Sequence, residues 1–414
     1  MSAQAATADY AHVYGRQTLR QKPHKLLRSS AGYRRRGVVW PEGRTSAFRR
    51  MGRMERGRQS GLGDTAGESF VGELRWFPID LDRQTGAIRF ADVGDGRPRW
   101  QDLLEITAGE RHPPQKSLPA AAAFKLVTSD PAQPRVNFIW HTSYCCSTAI
   151  ASALDVPGRN VSLFEPQILV SVANARRQAD RLHRGDISWL SDAVFRLLGR
   201  PYFDGASVTV KPAPVSNYLA ADAAAKTKGK MLFLYGDCRS FLLASARYGE
   251  NRRRTVRHLF NEIRHDGEAA QRWTAESIAE LTDLEIAGLT WQMQIARFSQ
   301  YLGRFGDRAA SLDCDAFLAA PQDVTAKIWE FLELPGKASE SELFQDPQFL
   351  HRHSKYPGQS FAPDERRAAD RDLDPSLREE IDRIAEASCA LFPDPKSVLP
   401  LPRPLVPVEK AQIQ

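Results

Sequence analysis

The sequence predicts an α/β fold of three layers, in which a central, mainly parallel sheet is covered by helices on both faces. Two observations predict it. From residue 135 onward, short apolar runs alternate with helical patterns, which is how strands buried on both faces and their crossover helices read. Each apolar run also ends in a polar or reactive cluster: His141–Thr148, Glu165, Lys211, Asp237–Arg239 and Asp313–Asp315. Ligands of open parallel sheets sit beyond the carboxyl ends of the strands, so these clusters are expected along one edge.

The elements follow in order. "LRWFPIDLD" (74–82) and "GAIRFADV" (86–93) alternate as two short strands around a turn. "WQDLLEI" (100–106) reads as a short helix and "GERHPPQKSLP" (109–119) as a loop by its prolines. "RVNFIW" is a buried strand, "STAIASAL" a helix, and "NVSLFE" (160–165) a strand. Pro166 suits a first helical position, and the helical pattern runs to 182, followed by a second over 187–199. "SVTVKP" (207–212) is a strand, and 216–228 a helix capped by Ser216. "KMLFLYGD" (230–237) is the strongest strand pattern, with a helix over 238–249. One long helix is expected over 276–305, a strand over 309–317, and helices over 321–335 and near 376–391. This divides the chain into a basic, disordered tail (1–68), a small β-containing extension (69–134), the α/β domain (135–395) and an extended Pro-rich tail (396–414).

The net charge of +7 belongs to one end. Residues 1–60 hold 14 Lys and Arg against three acids, so the remainder carries −4. A basic tail attracts polyanions and anionic lipid without specificity, or is simply solvated; Met51 or Met54 as the start would remove most of it. No specific nucleic-acid partner is expected. Five cysteines without regular spacing do not make a disulfide framework, which points to a reducing, cytoplasmic setting. No apolar stretch approaches the roughly 20 residues of a membrane span, and no secretory leader is expected.

The stretch "NFIWHTSYCCSTAIASAL" (137–154) carries the chemistry. A turn from a buried strand into a helix leaves backbone N–H groups without partners, and with the helix dipole they hold a phosphate or sulfate. Ser147 and Thr148 stand where their hydroxyls add donors, and small residues at Cys145 and Cys146 let an anion approach the backbone. The GxxxxGK[ST] pattern is absent, which disfavours nucleoside triphosphate hydrolysis. Positive charge must then come from His141, Lys211 or Arg239. Plainer readings stand beside these. The twin cysteines also read as small packing residues; their adjacency and the lack of a partner at zinc spacing speak against a metal. Glu165 can be a helix-start charge, and His141, Lys211 and Arg239 ordinary loop or surface residues. Asp313 and Asp315 would share a face if the strand continued through them, or else cap a helix. Trp291 and Met293 read as core, and "NRRRTVR" (251–257) as a phosphate contact or a solvated face.

Together, "FIWHTSYCCSTAIASALD", "LFEPQIL", "VTVKPAPVSNYLA", "MLFLYGDCRSFLLASARYG" and "AASLDCDAFLAAPQDVTAKIWEFLELP" resemble successive blocks of bacterial P-loop sulfotransferase-like proteins, over about 135–360. The resemblance implies a three-layer P-loop fold. It also implies in-line transfer of a sulfonate from PAPS to a hydroxyl or amine of a small-molecule or glycan-like acceptor, leaving PAP, with no metal. It places Ser143, Tyr144, Cys145, Cys146, Ser147 and Thr148 at the 5′-phosphosulfate, with Tyr144 where a Lys or Arg is usual and Cys146 where Gly is usual. Arg239, Ser245 and Lys355 fall at the 3′-phosphate, with Gly236 in place of a first Arg. Glu165 falls at the general base, with His141 and Lys211 neutralising charge. The acceptor would lie against 166–206 and 262–300. The rival readings are a degenerate member that binds an anion without transfer, a nucleotide kinase-like phosphotransferase, and a partner-binding protein driven by residues 1–60. The sequence carries no signal for an oligomeric state.

Overall fold

The computed structural model describes residues 69–94, 98, 100–247, 249–266, 274–351, 373–391 and 399–407. The expectations for 1–68, for Lys355 and for the ends of the Pro-rich tail lie outside them.

The chain begins with β1 (Trp76–Asp82) and β2 (Ala87–Asp92), which pair antiparallel from Trp76 opposite Asp92 to Asp82 opposite Ala87. The turn between them is set by Asp82, whose carboxylate accepts from the N–H groups of Gln84 and Thr85, and by Gly86 at φ 72°. α1 (Trp100–Ala108) follows, and then β3 (Gln115–Pro119) and α2 (Ala120–Val127). The loop expected over 109–119 is therefore a third strand in its second half, paired antiparallel with β2. Leu118 is the one residue of β3 that is buried. Its strand state comes from the β2 ladder rather than from an apolar pattern of its own.

The second sheet comprises β4 (Val136–His141), β5 (Asn160–Phe164), β6 (Ser207–Lys211), β7 (Met231–Tyr235) and β8 (Ala309–Asp313), all parallel, in the order β5-β6-β4-β7-β8. Between them run α3 (Ser147–Ala153), α4 (Gln167–Arg181), α5 (Ser188–Leu198), α6 (Ala220–Lys226), α7 (Cys238–Arg247), α8 (Gly249–Ile263), α9 (Ala275–Ala279) and α10 (Asp283–Phe305). After β8 come α11 (Cys314–Ala319), α12 (Pro321–Phe331), α13 (Glu342–Gln345) and α14 (Pro375–Leu391). Both faces of the sheet are buried. Phe138, Trp140, Val210 and Phe233 join one apolar cluster with α4, α5 and α10, while Ile139, Leu232, Leu234 and Leu312 join another with α3, α11 and α12. The β1–β3 side chains belong to the first cluster.

Three expectations are corrected here. The helix over 216–228 begins as a 3-10 turn, Pro214–Leu219, with Pro at its start, and Ser216 is a fully buried residue in it rather than a cap. The stretch 276–305 is two helices. Thr282 breaks it by forming a capping box with Glu285, each side chain accepting from the other's backbone N–H, which satisfies two of the orphan donors of a helix start. The strand over 309–317 ends at Asp313, which caps α11 by accepting from the N–H of Asp315, so the two carboxylates do not share a strand face. The chain returns at 399–407 beside β8, where Ser311 N–H donates to Arg403 O at 2.9 Å and Leu405 N–H to Ser311 O at 2.8 Å. This covers an edge that would otherwise present unpaired backbone groups.

Successive strands are laid to one side of β4 (β6, then β5) and to the other (β7, then β8). The loop leaving β4 therefore sits at the point where the winding reverses, the position at which such sheets bind ligands.

Candidate functional site

The loop from Thr142 to Cys146 turns the chain from β4 into α3. Ser143, Tyr144 and Cys146 lie at φ 79°, 55° and 57°, in the left-handed region that costs about 1–3 kcal/mol for each residue with a Cβ. Among the described residues, the N–H groups of Cys145, Ser147, Thr148 and Ala149 meet no acceptor; the first backbone bond of the helix is Ile150 N–H to Cys146 O, 3.1 Å. The hydroxyls of Ser147 and Thr148 likewise meet no partner there, although both residues are largely buried. Consecutive N–H groups presented by a turn of this kind form an anion-binding concavity.

His141 ends β4 and is 3% exposed. Its Nδ1 accepts from Ser143 N–H at 3.2 Å, and its Nε2 lies 3.0 Å from Pro212 O. A carbonyl only accepts, so Nε2 carries the proton and the ring is the neutral Nε2–H tautomer. His141 in this state ties the loop to the end of β6.

Glu165 follows β5 at φ 45° and donates its N–H to Lys211 O at 2.6 Å. Its carboxylate accepts from the Lys211 ammonium. The Lys211 side chain is 1% exposed and that of Glu165 11%, so the pair is a buried ion pair with its acidic member nearer the solvent. Pro212, the residue after Lys211, holds His141 Nε2 at 3.0 Å, which ties the end of β6 to the loop. The site residues His141, Ser143 to Thr148, Glu165 and Lys211 thus meet on one edge. Arg239 and Ser245 lie on α7, where the Phe241 ring packs 5.2 Å from that of Tyr144. Arg239 Nε donates to Asp382 of α14 at 2.6 Å. Ser245 is buried, and its hydroxyl donates to Phe241 O at 2.8 Å. Gly236 is tightly enclosed: a Cβ there would lie 3.2 Å from Cys314 Sγ, and its carbonyl accepts from Trp291 Nε1 at 2.8 Å.

Cys145 is not a nucleophile in this setting. Burial, reinforced by neighbouring Cys146, pushes its thiol up to about 12. Roughly one thiol in ten thousand is then ionised at pH 8, and only the thiolate is alkylated. Iodoacetamide at pH 8 is expected to spare Cys145 in the folded protein while it reacts in denaturant; peptide mass mapping checks this, and prompt labelling of native Cys145 contradicts it.

Two residues that the sequence reading missed hold the loop from behind. Asn217, in the 3-10 turn after β6, donates to His141 O at 3.0 Å, and Gln294, in mid α10, donates to Thr142 O at 3.3 Å. The available signal was polar residues at core positions of an apolar helix: Thr290, Gln292 and Gln294 are all under 5% exposed.

No known protein-family profile matches the chain. No curated protein matches it in sequence. Among solved structures it is similar to the sulfotransferase domain from the curacin biosynthetic pathway, with 14% identity and a TM-score of 0.36 over 61% of this chain and 97% of that one. It is also similar to a sulfotransferase from Alicyclobacillus acidocaldarius, with 15% identity and a TM-score of 0.33 over 63% and 94%. Likeness at this level assigns neither family nor activity.

Proposed function

We propose that the protein is a sulfonate-transfer enzyme that binds PAPS at the loop between β4 and α3 and serves a hydroxyl or amine acceptor of small-molecule or glycan-like type. The observation that carries this reading is the set of unpartnered N–H groups on Cys145, Ser147, Thr148 and Ala149, beside a buried Lys–Glu pair. The sequence blocks that resemble sulfotransferases support it. When bound, PAPS supplies the sulfonate and leaves as PAP. The loop amides and the Ser147 and Thr148 hydroxyls hold the anion, as preorganised donors do in an oxyanion site. Lys211 places positive charge behind the loop, where neither Tyr144 nor the cysteines supply any. The Glu165 carboxylate, oriented by Lys211, takes the proton from the acceptor. His141 keeps the loop in register. Arg239, and Lys355 in the segment beyond the described residues, are assigned to the 3′-phosphate.

A second reading, anion binding without transfer, is favoured by one observation: Lys211 and Arg239, two of the cations this reading of the site calls on, already face carboxylates. One measurement tests both readings and a second separates them. PAP without metal is expected to raise the melting temperature, by the equivalent of about 2.7 kcal/mol at a hundredfold excess over Kd, and ATP with Mg²⁺ to raise it less. Glu165→Gln is expected to keep PAP affinity within about threefold while lowering sulfonate transfer at least about 100-fold. Absence of any PAP shift ends both readings, and binding by a protein inactive toward a broad acceptor panel selects the second.

A further inference from the structure

A turn with three non-glycine residues in the left-handed region holds its shape only where its surroundings over-determine it. Around residues 142–146 a set of specific bonds does so. Thr142 N–H donates to Leu234 O at 3.2 Å, and Ser143 N–H donates to His141 Nδ1. Both carbonyls at the start of the turn are taken by side chains from outside the sheet. Asn217 Nδ2 uses its two protons on His141 O (3.0 Å) and Gln294 Oε1 (3.4 Å). Gln294 Nε2 uses its two on Thr142 O (3.3 Å) and Thr290 O (3.2 Å). Asn217 is 6% exposed and Gln294 4%. A primary amide has two N–H donors, so every donor of the pair is committed, and reversing either amide would set oxygen against oxygen. Asn217 Oδ1 is left buried without a partner among the described residues. The pair is therefore arranged for donation toward the turn at the expense of its own acceptor.

The consequence lies in the peptide planes. With Thr142 O drawn toward α10, the N–H of the same peptide, that of Ser143, faces the opposite way, onto His141. With His141 O drawn toward the 3-10 turn, the N–H of Thr142 faces Leu234. The two planes that launch the turn are thus fixed from its rear, and the amides that follow are left to face forward. We infer that Asn217 and Gln294 are positioning residues for this loop: they hold its left-handed geometry in the empty protein and thereby set its affinity for an anion. The second half of this statement rests on the proposed function; the first half does not.

The test uses Asn217→Leu and Gln294→Met in the full chain. Both replacements are close in size to the original, uncharged and unable to donate. Thr290→Val serves as a control, because it removes a buried hydroxyl of α10 that bonds Ile286 O and not the loop. Amide hydrogen exchange is followed by NMR without ligand, and PAP affinity by calorimetry. Exchange at Ser143 is expected to speed up at least tenfold in each variant relative to β7 amides, and PAP affinity to fall at least tenfold, with neither change in Thr290→Val. Unchanged Ser143 exchange in a folded variant overturns the inference, whatever happens to PAP. Faster exchange in a protein whose wild type does not bind PAP leaves the positioning role intact and removes the proposed function. If neither variant folds, the wild type decides: the side-chain amide protons of Asn217 and Gln294 should exchange together with Ser143 N–H, and Ser143 exchanging tenfold faster than both overturns the inference.

Discussion

Replacing Glu165 with methionine is expected to cost about 3–5 kcal/mol of folding stability, the range for stripping one partner from a buried ion pair. The loss arises because the Lys211 ammonium, 1% exposed, stays in the interior without the carboxylate that faces it. Lys211→Met should cost less, since the abandoned Glu165 carboxylate is the more exposed partner, at 11%, and can recover part of its hydration. The double variant should lie close to the wild type, because an apolar pair of similar volume avoids both desolvation penalties. Urea midpoints of the four proteins give the coupling directly. A double variant as unstable as the sum of the singles would show that the pair does not act as a unit. It would also undercut the role given to Lys211 in orienting Glu165. An arrangement of this kind is a weak device for stability, because the Coulomb attraction is largely consumed by desolvation. Its presence at the carboxyl edge of β5 and β6, beside the loop, fits a site that needs a fixed charge where the sequence offers no loop lysine.

The central sheet was legible because its strands are short apolar runs ended by polar residues, a pattern produced by burial on both faces. Met231–Tyr235 and Val136–His141 are such runs, and each lies within one or two residues of its expected span. Gln115–Pro119 was illegible because four of its five residues are exposed and its strand state is conferred by β2 across a gap of 22 residues (93–114). The break at Thr282 was written in the sequence as Thr-x-x-Glu before an apolar run, but continuous helical periodicity on both sides masked it. At the site, the residues at strand ends could be placed in advance because topology alone brings parallel carboxyl ends together. Asn217 and Gln294 could not. Their partners lie 76 and 152 residues away, and nothing local marks an amide in an apolar helix as a donor to a distant turn. The assignment of Ser245 came from the resemblance and from no pattern in the residues themselves; its hydroxyl donates to Phe241 O, one turn back along α7.

Gly229→Ala is expected to be the most damaging alanine replacement among the described glycines, removing about 4 kcal/mol or more, a loss reserved for a few mechanisms such as forced backbone displacement. A Cβ at this position would lie 1.8 Å from Val136 O and 2.2 Å from Val136 C. These are backbone atoms, so no rotamer change relieves the overlap. The segment cannot retreat, because its neighbours are fastened to β4 on both sides: Lys228 N–H donates to Pro134 O at 3.0 Å, Lys230 N–H to Asn137 Oδ1 at 2.8 Å, and Phe138 N–H to Lys230 O at 2.9 Å. Nor can β4 retreat, since it is paired with β6 on one side and β7 on the other. Gly303→Ala is the matched comparison. It lies at an exposed position of α10, where an added Cβ meets nothing within 4 Å, so alanine there should stabilise by about 0.5–1 kcal/mol through its better helix propensity. The same chemical change is thus expected to act with opposite sign at the two positions, and denaturant titration of both variants reads the contrast. A Gly229→Ala protein as stable as the wild type would mean that the start of β4 and the segment feeding β7 do not approach this closely. The register that carries His141 and Asp237 to a common edge would then have to be redrawn.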